Sequence, residues 1–268
     1  MKLSKAKLDD LYELFNHREF VHPDPLEFLY NFPDLREREV VGLIAASLAY
    51  GRVAQILKSV SSVLGRMVPS PRSFLLKSSD KEIFSVLSGF KHRFTTREEM
   101  AYMLSGAKQI IEGHGSLYDF FSANFNQDDD TVLPALSALV DQLNISNPGK
   151  KNSLLPSPAK GSACKRLNLF LRWMVREDSV DPGGWSGIPP SKLIIPLDTH
   201  MHKISLNVNI TKRRQADMRT ALEITKAFRK VAPEDPIRYD FALTRLGIRK
   251  ELDPELFLQG INKTKTNP

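Results

Sequence analysis

Cysteine is almost absent from this chain of 268 residues, which contains only Cys164. A single cysteine excludes an intramolecular disulfide, and it also excludes an iron–sulfur cluster held by four cysteines of the chain. Long apolar runs are missing as well, and the first residues lack the basic, apolar and small-residue order of a signal peptide. We therefore expect a cytoplasmic protein with no membrane contact and no cofactor, in which Cys164 is a buried helix residue.

The composition is that of a globular protein with an uneven charge distribution. Hydrophobic residues make up 41% of the chain and the mean hydropathy is −0.27, which is ordinary for a soluble protein. The net charge is +7, and residues 160–250 contain 18 Lys and Arg against 9 Asp and Glu, so the remainder of the chain carries −2. Such polarity favours an anionic partner such as nucleic acid, although a solvated basic surface is the alternative.

Apolar residues recur at helical spacing along most of the chain, which predicts an all-α protein. Two helix starts carry capping-box signatures, Asp34 with Glu37 and Thr96 with Glu99. The acidic residues 128–130 precede a further helix start, where they complement the helix dipole better than they suggest a metal site. Helices are predicted at 3–15, 24–32, 34–50, 53–67, 96–111, 131–143, 165–176, 199–208, 218–228 and 235–247.

The stretch from Asn144 to Lys160 is rich in Asn, Pro, Gly, Ser and Lys, and it predicts a mobile loop or linker. The following helix buries an apolar stripe. Its polar residues Lys165, Asn168, Arg172 and Arg176 fall on one side, which predicts an outward-facing basic ridge that begins at Lys165.

Two short segments contain residues suited to sugar chemistry. Gly161-Ser162-Ala163-Cys164-Lys165-Arg166-Leu167-Asn168 places a lysine early in a helix, and Pro196-Leu197-Asp198-Thr199-His200 places an aspartate at a helix N-cap. A lysine can attack a sugar carbon as a free amine, and a carboxylate can stabilise the positive charge that develops there. This combination is typical of base excision. The alternative roles are a solvated lysine and an aspartate that only caps its helix.

These two segments resemble the helix-hairpin-helix DNA glycosylase superfamily, which includes bifunctional glycosylase/lyases. The superfamily has a Gly-x-Gly hairpin turn before the helix that bears its lysine, and Gly161 matches the first glycine while Ala163 stands in place of the second. Leu197-Asp198-Thr199-His200 is similar to the superfamily's Val-Asp-Thr-His segment. Lys165 and Asp198 are 33 positions apart, which is longer than usual there. Leu48-Ala49-Tyr50-Gly51-Arg52 and Arg172-Trp173-Met174-Val175-Arg176 also resemble a bacterial family known only as a domain of unknown function.

The glycosylase resemblance implies an all-α, two-lobed helical bundle with an N-terminal lobe at 1–143, a loop at 144–160 and a catalytic part at 161–268. It implies duplex DNA with a damaged base as the partner, Lys165 and Asp198 as the catalytic pair, and no metal. The candidate DNA-binding residues are Gly161, Ser162, Ala163, Asn168, Arg172, Trp173, Arg176, Trp185, His200, Lys212, Arg213 and Arg214.

Two alternatives to a bifunctional enzyme stay open on the sequence. A monofunctional glycosylase would use Asp198 to activate water and Lys165 only to bind phosphate. A DNA-binding module would keep the scaffold and no chemistry, and Ala163 together with the long separation of the two candidate residues favours it.

Overall fold

The structure, a computed structural model, describes residues 4–147 and 151–248, with side chains as far as residue 245. Leu3 of the first expected helix, residues 148–150 of the expected loop and residues 249–268 of the expected C-terminal lobe lie outside the described residues. The described α-helices are α1 Lys5–Phe15, α2 Leu35–Ser47, α3 Val53–Leu64, α4 Pro71–Lys77, α5 Asp80–Val86, α6 Arg97–His114, α7 Leu117–Ala123, α8 Leu133–Leu143, α9 Lys165–Val175, α10 Thr199–Asn207, α11 Met218–Arg229 and α12 Asp240–Ile248.

Short 3-10 helices and one small hairpin complete the described secondary structure. The hairpin pairs β1 (Lys91–His92) with β2 (Thr95–Thr96) in antiparallel register, with Lys91 opposite Thr96. The 3-10 helices are Arg18–Phe20, Pro25–Asn31, Pro158–Lys160 and Pro190–Lys192. The fold is therefore mostly helical, as predicted. None of the described helices is long and apolar enough to cross a membrane.

Helix α2 forms the centre of the packing. Most of its residues are buried, and it contacts α9 and the 3-10 helix at Pro25–Asn31 more extensively than any other element. A side chain at Gly42 would lie 3.3 Å from the Phe170 ring, so this glycine allows the close approach of α2 and α9. Helix α1 packs against α12, and α10 also packs against α12. The beginning and end of the described chain thus share one core.

One of the two expected capping boxes forms in full. Thr96 and Glu99 make the complete capping box at the start of α6, with N–H donors at 3.3 and 2.9 Å. Asp34 caps α2, but the Glu37 carboxylate turns away from that cap. It accepts hydrogen bonds from the Ser70 hydroxyl at 2.6 Å and the Arg72 amide at 2.8 Å. The second capping box was therefore a wrong prediction, because Glu37 serves the start of α4.

Two further expectations differ from the structure. Asp235 does not start a helix: α12 begins at Asp240, and the Asp235 carboxylate instead pairs with Arg176. The described part of the expected loop at 144–160 is packed rather than free, because Leu154 and Leu155 belong to the core. Asn152 adds a hydrogen bond to the Glu99 carbonyl at 2.8 Å.

Candidate functional site

An open cleft of about 370 Å³ lies where several helix ends meet. Its walls come from the junction between α2 and α3, the first turns of α9 and α10, and α12. Both candidate catalytic residues, Lys165 and Asp198, line this cleft. The volume is within the range of small-molecule sites in proteins. Two side chains that are 33 positions apart in the sequence are thus brought to one cavity.

Lys165 is the first residue of α9 and is half-buried at the cleft wall. Its Nζ donates a hydrogen bond to the Ala49 carbonyl at 3.3 Å. Among the described residues it forms no ion pair, so no carboxylate neutralises the ammonium or competes for the amine.

The turn before α9 is fixed by backbone contacts. Gly161 and Cys164 both have positive φ, 79° and 47°, and the Gly161 carbonyl accepts a hydrogen bond from the Met218 amide at 3.0 Å. Ala163 is buried, and its carbonyl accepts from the Asn168 side-chain amide at 3.0 Å. The turn follows a 3-10 helix, and α8 ends earlier, at Leu143. Two α-helices therefore do not directly flank the turn.

Cys164 is buried, as expected, although it precedes the helix as its N-cap. Its thiol donates to the Pro156 carbonyl at 3.2 Å, and burial raises the pKa of Cys164 to about 11. A thiol in this state is not a nucleophile near neutral pH.

Asp198 caps α10 as predicted. Its Oδ1 accepts the Met201 amide at 2.8 Å, and the carboxylate is half-buried at the cleft wall without an ion-pair partner among the described residues. N–H groups at a helix start stabilise a negative charge placed beside them. His200 is exposed beside it on the same cleft, whereas the His202 ring Nε2 contacts the Arg213 carbonyl at 2.8 Å. Over the described part of the chain, no group of three metal-ligating side chains converges.

Behind the cleft lies a buried group of six charged side chains, which we call the aspartate–arginine cluster. Arg172 contacts Asp181 at 3.0 Å and Asp240 at 2.6 Å, and Arg176 contacts Asp178 at 2.8 Å and Asp235 at 2.9 Å. Arg176 also contacts the second oxygen of Asp181. The cluster thus consists of Arg172, Arg176, Asp178, Asp181, Asp235 and Asp240.

Ionisation within this cluster is uneven. Burial raises the pKa of Asp240 to about 6, against the opposing effect of the Arg172 guanidinium, and the Asp198 carboxylate adds to the rise. Burial likewise raises the pKa of Asp181 in spite of both arginines. At Asp178 burial is outweighed by Arg176 and by backbone N–H donors, so that its pKa falls below the usual value.

A family model described as "Protein of unknown function (DUF2400)" matches residues 24–249. The chain belongs to the DUF2400 family. The match includes Lys165, Asp198 and the whole aspartate–arginine cluster of this DUF2400 chain. No curated protein and no solved structure matches it significantly.

The outward basic ridge expected on α9 is absent from this DUF2400 structure. Arg172 and Arg176 are each 3% exposed and Asn168 is 1% exposed, because α9 is covered by the segments that carry the cluster aspartates. Neither arginine is free to bind a phosphate. This part of the predicted DNA-binding set was wrong, since charged residues on one side of a helix were read as a solvent-facing side.

Both tryptophans of the DUF2400 chain, Trp173 and Trp185, are fully buried, which corrects their assignment as DNA-binding candidates. Trp185 packs edge-on against Phe170 and donates its ring N–H to Glu39 Oε1 at 3.1 Å. Burial raises the pKa of Glu39 to about 7, against the effect of nearby Arg36. The loop between α9 and α10 is thus anchored in the core.

The short hairpin that packs against Tyr50 was not predicted. Its turn exposes Arg93 and Phe94, and the Phe94 side chain is 61% exposed. Phe94 lies 4.9 Å from the ring of Tyr50, which lines the cleft and donates its hydroxyl to the His92 carbonyl at 2.8 Å. Strands of two residues are too short to leave a periodic signal, and the sequence shows only that an arginine and an aromatic residue are adjacent at positions 93 and 94.

The basic turn Lys212-Arg213-Arg214 lies beside the start of α11. Arg213 is paired with Asp217 at 2.7 Å and donates to Thr220, while Lys212 and Arg214 are exposed. Ser162 forms a β-bridge with Asp217, so this start of α11 also contacts the Gly161–Cys164 turn. The Gly161–Cys164 turn of this DUF2400 structure therefore contacts the start of α11, which the basic turn shortly precedes in the chain.

Proposed function

We propose that this protein is a DNA base-excision enzyme, a glycosylase with associated lyase activity. The observation that carries the proposal is the shared cleft, in which the Lys165 amine and the Asp198 carboxylate both lack an ion-pair partner among the described residues. An amine that is held by one carbonyl is available for attack once it has lost its proton. A carboxylate held by helix N–H groups is suited to a site where positive charge develops.

The reaction forms and breaks bonds at the sugar C1′ of a nucleotide rotated out of the duplex. Lys165 Nζ attacks C1′, and the bond from C1′ to the base breaks with its electron pair leaving on the base nitrogen. Loss of a proton from the new C1′ amine and opening of the sugar ring then form a Schiff base, which permits elimination of the 3′ phosphate. Asp198 stabilises the cationic sugar and accepts the amine proton.

Several surface features support DNA as the substrate. Lys212 and Arg214 are exposed and have no ion pair among the described residues, which suits contacts to backbone phosphates that carry no base information. The exposed Phe94 and Arg93 lie beside Tyr50, which lines the cleft. Aromatic side chains that enter a base stack help to unpair a nucleotide, and unpairing is least costly at a damaged base.

Borohydride trapping tests this proposal. Native protein incubated with duplexes that each contain one damaged base or an abasic site is expected to give a covalent adduct after reduction, because borohydride reduces the Schiff base. Lys165→Gln should give none. Lys203→Gln is the matched control, since Lys203 is exposed on α10 and outside the cleft, and it should trap like the native protein.

The outcomes separate the alternatives. Base release without an adduct, unchanged in Lys165→Gln, would indicate a monofunctional glycosylase that uses Asp198 and water. Duplex binding with neither release nor an adduct on any substrate would indicate a binding module. An adduct that survives Lys165→Gln would mean that another amine is the nucleophile.

A further inference from the structure

The aspartate–arginine cluster contains more acid than base. Its four carboxylates face two guanidinium groups, and four of the six members, Arg172, Arg176, Asp181 and Asp240, are at most 3% exposed. Full ionisation would leave two uncompensated negative charges in a buried volume, which is costly. The cluster therefore favours binding a proton on one of its carboxylates.

Asp240 is the only aspartate of this cluster that lines the cleft. It is the first residue of α12, and its two oxygens differ in environment. Oδ2 accepts the short hydrogen bond from Arg172 Nη1 at 2.6 Å, whereas Oδ1 is buried and has no hydrogen-bond partner among the described residues. A buried carboxylate oxygen without a donor is destabilised as an anion, and a proton on it removes that cost.

Charged groups surround Asp240 on every side. Arg172 faces it from α9, Asp198 from the start of α10 and Asp181 from the loop after α9. On α12 itself, Arg245 is paired with Asp24, and next to α12 the Tyr239 hydroxyl donates to Asp9 of α1. Lys165 and His200 line the same cleft. The carboxyl groups of Asp181, Asp198 and Asp240 thus lie near the guanidinium of Arg172, which leaves a surplus of acid close to Asp240.

We propose that Asp240 is a general acid of this site, which holds a proton in the resting state and donates it to the departing base at the cleft wall. The inference rests on the proposed function. Burial, with Asp198 and Asp181 nearby, raises the pKa of Asp240 to about 6, so a useful fraction of the carboxyl stays protonated in mildly acidic to neutral solution.

The proton transfer balances within the proposed reaction. The electron pair of the broken bond to C1′ takes the Asp240 proton at the base nitrogen, so the base leaves neutral and Asp240 becomes a carboxylate next to Arg172. The ammonium formed when Lys165 attacks releases one proton, which restores Asp240 through Asp198 or solvent. The two carboxyl groups thus have separate roles, with Asp240 as the proton donor and Asp198 at the cationic sugar.

Asp240→Asn tests this role on three kinds of duplex. Uracil, hypoxanthine and 8-oxoguanine leave as neutral bases after protonation, 7-methylguanine already carries positive charge before it leaves, and an abasic site has no base to release. We expect Asp240→Asn to slow neutral-base release about 100-fold or more. Release of 7-methylguanine and borohydride trapping on the abasic duplex should change by less than about threefold.

Asp235→Asn is the matched control. Asp235 belongs to the same cluster, contacts an arginine through one oxygen and has its other oxygen unpartnered, yet it does not line the cleft. It should keep neutral-base release near the native rate. Thermal melting of both variants checks that they fold.

The native protein supplies a second measurement if Asp240→Asn does not fold. Neutral-base release should fall as pH rises above about 6, and release of 7-methylguanine should not show this fall. Three results would overturn the inference. The native protein and Asp240→Asn could release neutral bases at equal rates, Asp240→Asn could lose equal activity on all three duplexes, or both classes of base could show the same pH profile. Native protein that traps abasic sites but releases no base would overturn it too, whereas absence of both trapping and release would instead refute the proposed function.

Discussion

The two ends of α9 treat their basic side chains in opposite ways. Lys165, in the first turn, has no acid partner among the described residues and reaches an open cleft. Arg172 and Arg176 lie about two and three turns later, where both are buried between aspartates. Helix α9 thus carries one lysine that is available for chemistry at its start, and two arginines further along that stabilise the fold through buried ion pairs.

This contrast shows why a cation's position on a helix does not by itself indicate its role. The partners of Arg172 and Arg176 come from residues 178–181 and 235–240, and the contact from Arg172 to Asp240 spans 68 positions. Helical periodicity reports which residues share one side of α9, but it carries no information on what covers that side. Whether a basic side chain of α9 has an ion-pair partner therefore depends on aspartates from distant segments of the chain.

The largest expected effect concerns the buried end of α9. Arg176→Met should destabilise the protein by about 3–5 kcal/mol, because it leaves Asp178, Asp181 and Asp235 without their shared cation in a buried site. Lys165→Gln should change the stability by no more than about 0.5 kcal/mol. Urea titration followed by circular dichroism measures both, and equal losses would remove the contrast between the two ends.

The next effect concerns the carboxylate that shares the cleft with Lys165. Asp198→Asn keeps an oxygen that can accept the Met201 amide but removes the charge, so base release should fall about 100- to 1,000-fold while the melting temperature changes little. Asp198→Ala should add about 0.5–2 kcal/mol of destabilisation through the lost cap. An active Asp198→Asn protein would mean that this aspartate only caps α10.

The smallest expected effect concerns the exposed cations near the Gly161 turn. Replacing Lys212 and Arg214 by Gln should lower the slope of log binding constant against log salt by up to about 1.8, since each released phosphate contact contributes about 0.9. Arg213 is left in place because it pairs with Asp217. The exposed Lys77 and Lys81 serve as the control pair. An unchanged slope would exclude this turn from the DNA interface.

The sequence predicted the local features of the candidate site well. Asp198 as a cap and Lys165 in the first turn of a helix both depend on neighbours within four positions, and both were confirmed. The cluster and the hairpin depend on pairs such as Arg172 with Asp240 and Tyr50 with Phe94. Those pairs form only when distant segments pack together, so neither propensity nor periodicity reports them. Asp235 illustrates the limit, because a favourable cap followed by proline became an ion-pair partner instead of a helix start.

The cleft is lined by residues from early and late parts of the described chain, so it can be completed only late in the synthesis of the protein. The ion pair between Asp24 and Arg245 joins residues 221 positions apart, and the Tyr239 hydroxyl reaches back to Asp9. Translation proceeds at about 5–20 residues per second, so roughly 10–45 s pass between the synthesis of Asp24 and that of Arg245. Helix α9, the main partner of α2, begins 130 positions after α2 begins, so the apolar surface of α2 lacks this partner during the earlier part of that interval. We therefore expect the yield of folded protein to depend on shielding this surface until α9 has been synthesised, independently of how stable the finished cleft is.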